Sequence, residues 1–495
     1  MTKKWFWIGI TGVFLLSLTL RFWGLGRFNT FVFDEVYYAK FGNDYLTHTP
    51  FFDGHPPLGK LIIALGIWIG SHVPFWQGEV NGLTGTIRSP LSYRWINAFS
   101  GSFIPLIVAG ISYQLSYRRS FALLAALFTA CDGIFLVESR YALINQYIVI
   151  FGLLGQWFLL LALANQRRQR RFWLTLAGIA FGASVATKWN GLCYLLGAYL
   201  IWIVAWAINK ATDRKTDVTG ELSVRQKDKS SPIHLWSPLQ NLPQLNIFHI
   251  VFYLGIIPCI IYSIIWIPHL QLDTRYGFIE VHKQILAFHE RLGGNSPKVH
   301  PYCAPWYKWP LMIRPMAYFY GTTQSIKDPP PVMGPPLPSG VGKVIYDVHA
   351  MGNPFLWWFS VAALLFLVGM LVSQFVIPWV RQKRFSPPTP LSLDTWIALY
   401  IVLNYAANIL PWVGVTRCAF IYHYMTGVVF AFLAIAWLVD QCLRSYYKEV
   451  RVFGVTITFL ILFAFIFWMP IYLGLPLSSE AYEQRITWMG IKTWI

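Results

Sequence analysis

Charge is what this sequence has least of. Only 12% of its 495 residues are charged, about half the roughly 25% of an ordinary soluble domain. Acidic side chains are scarcest, 21 against 39 Lys and Arg. With 56% hydrophobic residues, a chain this poor in charge cannot cover a water-soluble surface, so a soluble enzyme or scaffold is excluded. Cysteine is sparse too: six residues, none in C-x-x-C or Cys/His ligand spacing, which excludes a zinc framework. Cys131, Cys193 and Cys259 lie inside apolar runs. No internal repeat is visible, which counts against the inverted-repeat transporters. The basic, apolar N-terminus lacks a small-residue cleavage site at Leu20-Arg21-Phe22, so it reads as a retained span and not a removed signal.

What the chain does have is long apolar runs, such as Phe6–Leu20, Ile144–Leu163 and Val452–Trp468, each near the roughly 20 residues that cross a bilayer. Eleven runs qualify, over residues 5–22, 91–115, 120–138, 141–164, 172–188, 191–209, 247–268, 354–377, 392–411, 418–440 and 452–473. The expectation is an all-α polytopic membrane protein forming one domain over 1–495. The net charge of +18 resembles a nucleic-acid signature in size but not in distribution. Basic residues cluster between apolar runs, at Lys3/Lys4, Arg118/Arg119, Arg167–Arg171, Arg381–Arg384 and Arg444–Arg451. A cytoplasmic N-terminus puts all five clusters inside, as the positive-inside rule requires, and no nucleic-acid partner is expected.

That orientation places residues 210–246 in the cytoplasm, with Lys210–Lys229 as a flexible loop. It turns two long segments outward, 23–90 and 269–353. In the first, Leu61–Val73 is short for a span and reads as a helix at the interface. In the second, Pro329–Pro338 reads as an irregular lid, and the whole segment is too short for an independent fold. Cys303 and Cys418 share the outer side, where they are free to pair, although their spacing does not demand it.

Because acids are scarce, each one near the outer surface is informative. Asp34 and Glu35 follow the first run directly; Asp34 reads as an N-cap for the helix Glu-Val-Tyr-Tyr-Ala-Lys, as a working carboxylate, or as both, since a cap fixes the carboxylate near other helix ends. Arg140, in Glu138-Ser139-Arg140-Tyr141, snorkels to headgroups, pairs with Glu138, or binds a lipid phosphate through its fork. Lys188-Trp189-Asn190 poses the same choice. Arg417 with Tyr422-His423-Tyr424 lies at the outer end of the tenth run, and polar groups at that depth are usually functional or partnered. His55, His282, His289, His300 and His349 also face outward, in spacings that match no metal-binding helix, so solvent-facing histidines are the default. An acid, several cations and aromatics on one membrane face suit an anionic lipid headgroup carrying a sugar; a lipid or ion transporter remains the competing class.

At this point the residues resemble a family, the dolichyl- or polyprenyl-phosphate-mannose protein O-mannosyltransferases. Phe33-Asp34-Glu35-Val36 with Phe51-Phe52-Asp53-Gly54-His55-Pro56-Pro57-Leu58-Gly59-Lys60 resembles its first outer loop. Ser139-Arg140-Tyr141 and Lys188-Trp189-Asn190-Gly191-Leu192 are similar to its next two outer turns. His300-Pro301-Tyr302 and Pro305-Trp306-Tyr307-Lys308-Trp309-Pro310 look like the loop of bacterial members, and Pro411-Trp412, Arg417 and Tyr422-His423-Tyr424 like the C-terminal span motif, with Trp494-Ile495 at the end. The second outer segment is too short for the β-trefoil domain of eukaryotic members, and Asn145 stands where an Asp usually follows the Ser-Arg turn. The resemblance implies a GT-C-type fold, a polyprenyl-phosphate-mannose donor, secreted or membrane protein acceptors with Ser/Thr hydroxyls, and transfer at the outer face of the cell membrane. It makes Asp34 the base and Glu35 an aid to the acceptor. It offers Arg140, Lys188, Arg417, His423, Tyr424 and His55 for the donor phosphate and sugar. No metal site is expected, and the mechanism neither requires nor forbids a divalent ion. A lipid or glycan acceptor would use the same architecture.

Overall fold

A computed structural model of the protein describes residues 1–219, 237–323, 332, 343–383, 387–388 and 390–487. Helices dominate. Among the described residues nine are long and apolar enough to cross a bilayer, starting with α1 (Lys3–Phe22) and ending with Lys448–Leu473. These nine match nine of the eleven expected runs; the other two take different forms, for visible reasons.

After α1 the chain folds into α2 (Glu35–Leu46) and α3 (Leu58–Ser71). Helix α3 has 14 residues, about 21 Å at 1.5 Å per residue, well short of a hydrocarbon core of about 30 Å. It buries Ile63, Ala64 and Ile67 against its neighbours and leaves Leu65 and Trp68 exposed, a one-sided pattern consistent with a helix that does not span.

The run 120–138 is not one straight helix. It breaks into Arg119–Ala130 and α4 (Gly133–Arg140), bent by 59°, because Asp132 caps the second piece. Its carboxylate accepts the N–H groups of Ile134 and Phe135 at 3.1 and 3.2 Å, and it also holds Asn353 N and the Trp357 indole. Next come α5 (Asn145–Ala164) and α6 (Arg167–Thr187). Helix α6 covers the run 172–188 with 21 residues and falls outside the nine only because the arginines that open it lower its mean hydropathy. Its small residues serve close packing. A Cβ on Gly178 would meet the Tyr253 carbonyl at 2.1 Å, and one on Gly182 would meet the Pro258 carbonyl at 2.8 Å.

The stretch Lys210–Lys229, expected as a loop, is helical in its first half, since the helix begun at Leu192 continues to Thr219; residues 220–229 lie outside the described ones. So do Trp494-Ile495 and, except for Val332, the Pro329–Pro338 lid. Among its described residues the segment 269–353 is more ordered than its composition suggested. It contains α7 (Phe278–Arg291) and two strands, β1 (Met316–Thr323) and β2 (Val344–Ala350). These form a three-stranded antiparallel sheet completed by β3 (Leu477–Ser478), which follows the last span. A strand from beyond the final span therefore shares a side with this segment. Cys303 and Cys418 form a disulfide, tying the segment to the entry of the span that starts at Ile421.

Candidate functional site

Segments 23–90 and 269–353 and the helix ends border an open cavity of about 500 Å³. Asp34, Asp53, His55, Lys188, His289, Arg417 and His423 line it, among Tyr37, Tyr38, Phe41, Phe288 and Phe420. A side chamber of about 200 Å³ shares His55, Lys188, His289, Arg417 and His423 and adds Trp189 and Trp412. The cations thus sit where the two spaces meet, and Asp34 opens onto the larger one alone.

Asp34 and Glu35, adjacent in sequence, have opposite surroundings. Glu35 is fully buried. Its carboxylate grips the Arg94 guanidinium through two bonds of 2.9 and 2.7 Å and accepts the N–H groups of Val32 and Ala142. It does not line the cavity, so any aid it gives the acceptor does not come from the cavity wall. Asp34 holds the N-cap position of α2, but its side chain makes no capping bond; Glu35, the next residue, accepts the Val32 N–H. Asp34 is left with a carboxylate facing the cavity. Burial raises its pKa to about 7, against the pull of Lys188. A carboxylate balanced there can both hold and release a proton near neutral pH.

Lys188 ends α6 in extended backbone. Its ammonium donates to Asn145 Oδ1 at 3.1 Å and lies 5.3 Å from the Tyr422 ring centre. Burial, with Arg417 nearby, lowers its pKa to about 8. Arg417 is held by its backbone: Asn295 N–H donates to Thr416 C=O, Cys418 N–H to Gly293 C=O and Ala304 N–H to Ala419 C=O, beside the Cys303–Cys418 bridge. His423 lies between the Trp309 and Tyr422 rings, 16° and 28° from parallel. His55 reaches the cavity from the loop before α3, and burial beside Lys188 holds it neutral.

Two expected donor-binding residues are elsewhere. Arg140 is buried, and its guanidinium donates to the carbonyls of Leu20, Arg21 and Trp23 at 2.6, 3.1 and 2.8 Å. These are the end of α1 and its flank, where carbonyls lack helical partners. The residue closes a helix end and does not reach the cavity. Tyr424 is also buried, its hydroxyl 2.9 Å from that of Tyr405, and takes no part in the lining. Conversely, Asp53 and His289 line the cavity. Asp53 is paired with Lys60. His289, grouped by sequence with solvent-facing histidines, follows Val281 and Ile285 on α7 at four-residue spacing. Those two are buried, so the third position of the stripe turns inward as well; that spacing was legible in the sequence. Among the described residues no group of three or more His, Cys, Asp or Glu side chains is placed to hold a metal ion.

The chain resembles known proteins over nearly its whole length. Residues 11–272 match the family model "Dolichyl-phosphate-mannose-protein mannosyltransferase", and residues 275–494 match "C-terminal four TMM region of protein-O-mannosyltransferase". Among curated relatives, the polyprenol-phosphate-mannose–protein mannosyltransferase of Mycolicibacterium smegmatis is 23% identical, covering 95% of this chain and 90% of that one. That of Mycobacterium tuberculosis is 22% identical, over 97% and 91%. In fold, the chain resembles the Saccharomyces cerevisiae Pmt1–Pmt2 protein O-mannosyltransferase complex bound to its sugar donor. The TM-score is 0.74 at 14% identity, over 99% of this chain and 93% of that one. The archaeal oligosaccharyltransferase AglB of Archaeoglobus fulgidus is more distant, with a TM-score of 0.53 at 12% identity, covering 98% of this chain and 58% of that one. With a family model matching more than half of its length, this chain belongs to the dolichyl-phosphate-mannose-protein mannosyltransferase family.

Proposed function

We propose that this membrane glycosyltransferase moves a mannosyl residue from polyprenyl-phosphate-mannose to Ser or Thr hydroxyls of proteins, with Asp34 as the base. The relatives' names supply the donor and acceptor classes. One observation carries the reading to these residues: a carboxylate with no capping bond shares a cavity with the cations Lys188 and Arg417. The acceptor oxygen attacks the anomeric carbon while Asp34 takes its proton. The bond from that carbon to the phosphate oxygen breaks, and its electron pair leaves with the lipid phosphate. One displacement from the opposite face inverts the anomeric centre. Phosphate departs without a general acid, and Lys188 and Arg417 stabilise the charge that gathers on it. His55 and His423 complete the walls around the headgroup. We place this face outside the cell and the N-terminus in the cytoplasm, because that arrangement keeps all five basic clusters inside.

Purified protein given polyprenyl-phosphate-mannose and a Ser/Thr-rich peptide should yield mannosylated peptide. Transfer only to an added lipid or glycan would overturn the acceptor assignment. An impermeant thiol label at Asn295→Cys should react in intact cells, and reaction only after lysis would reverse the topology.

The shifted groups also predict the pH profile. Asp34 works as its anion, so kcat/KM should rise with pH through about 7. Lys188 works as its cation, so activity should fall again through about 8, giving a narrow bell. Lys188→Arg keeps its charge at alkaline pH and should extend the falling limb upward; a limb that does not move would exclude Lys188 as its source.

A further inference from the structure

Strand β1 carries a bulge beside the site. Ala317 pairs with His349 and Phe319 with Val348, so Tyr318 is the extra residue. A bulge leaves a residue out of the ladder and re-aims its groups. The Tyr318 carbonyl accepts the Phe33 N–H at 3.1 Å, and its ring stacks on the Phe33 ring, centroids 4.0 Å apart and 13° from parallel. Phe33 has a φ of +55°, a left-handed conformation that a bulky residue keeps only when its surroundings hold it. The next residue is Asp34, so the aim of the base depends on this turn.

The other end of the same side chain leads to the cation. The Tyr318 hydroxyl donates to the Glu138 carboxylate, and burial keeps that phenol protonated by raising its pKa. Glu138 also accepts from Asn145 Nδ2, at 3.3 Å to each oxygen, and Asn145 Oδ1 accepts from Lys188. The amide is oriented by a carboxylate on one side and an ammonium on the other. An Asp at 145 would put two carboxylates face to face and lose that order.

We infer that Tyr318 is a positioning residue for both partners in the reaction, aiming Asp34 through the Phe33 turn and Lys188 through Glu138 and Asn145. The inference rests on the assignment of Lys188 to the donor phosphate made above. A single bulged residue of the second outer segment thereby couples the base to the phosphate cation.

Tyr318→Phe keeps the stack and the backbone bond and removes only the hydroxyl. Its affinity for undecaprenyl phosphate, measured by titration in detergent, should fall about tenfold, the scale of one bond to a charged group. Its kcat at saturating donor should change less. Tyr318→Leu also loses the stack and should lower kcat by about a further tenfold. A merely structural role would not produce the decisive result: in a Lys188→Ala background, removing the hydroxyl should no longer change undecaprenyl phosphate affinity. Parental affinity in Tyr318→Phe, or equal weakening with and without Lys188, would overturn the inference. Lys188→Ala protein that binds undecaprenyl phosphate normally would instead remove the parent assignment of Lys188, and this inference with it.

Discussion

Asp34→Asn protein is expected to fold and insert like the parent and to transfer sugar at least about a hundred-fold more slowly, the range for losing a positioned base. The substitution keeps the side chain's size and removes its ability to take a proton. It costs the helix nothing, because Asp34 makes no capping bond in the first place. The loss should fall on kcat, with donor affinity unchanged or improved, since a negative charge has been removed near the phosphate. If folded Asp34→Asn protein works at near-parental rates, the mechanism fails and another acid must be the base. Asp53 would be the next candidate on the cavity wall, although it is already paired with Lys60; Glu138 is buried behind Tyr318.

The neighbouring residue should behave in the opposite way. Glu35→Gln leaves the Arg94 guanidinium buried without its counter-charge, and breaking such a pair costs about 3–5 kcal/mol. Two backbone N–H groups, from Val32 and Ala142, also lose a charged acceptor. The expected result is a large fall in the thermal midpoint in detergent and poor recovery of inserted protein. Molecules that do fold should show near-parental kinetics with varied acceptor. An acceptor KM raised tenfold or more at parental thermal stability would restore Glu35 to the acceptor site and contradict its burial.

These adjacent acids show where reading from sequence stopped. Both stand after an apolar run in a chain poor in acids, so both were visible as candidates. Their separation into one free and one paired carboxylate depends on Arg94, which is 59 positions from Glu35, and on the Ala142 N–H, 107 positions away. Arg140 repeats the point. It sits in a turn that resembles the family pattern, yet its fork faces α1 carbonyls about 120 residues earlier. Asp132 differs in being local: an Asp-Gly step inside an apolar run is a capping signal, and it accounts for the 59° bend.

Hydropathy and charge distribution were enough to establish a multi-pass membrane protein, because a bilayer demands long apolar helices and rejects charge wherever they occur in the chain. Ordered motifs were enough to suggest the family. Which motif side chains meet in the cavity was decided by tertiary packing alone. A buried polar group must find a partner or face an open space, and the partners of Glu35, Arg140 and Tyr424 come from distant segments that take them out of the site. The same packing put Tyr318 between the base and the cation, because a bulge in strand pairing sets a side chain's direction only once the strands have met.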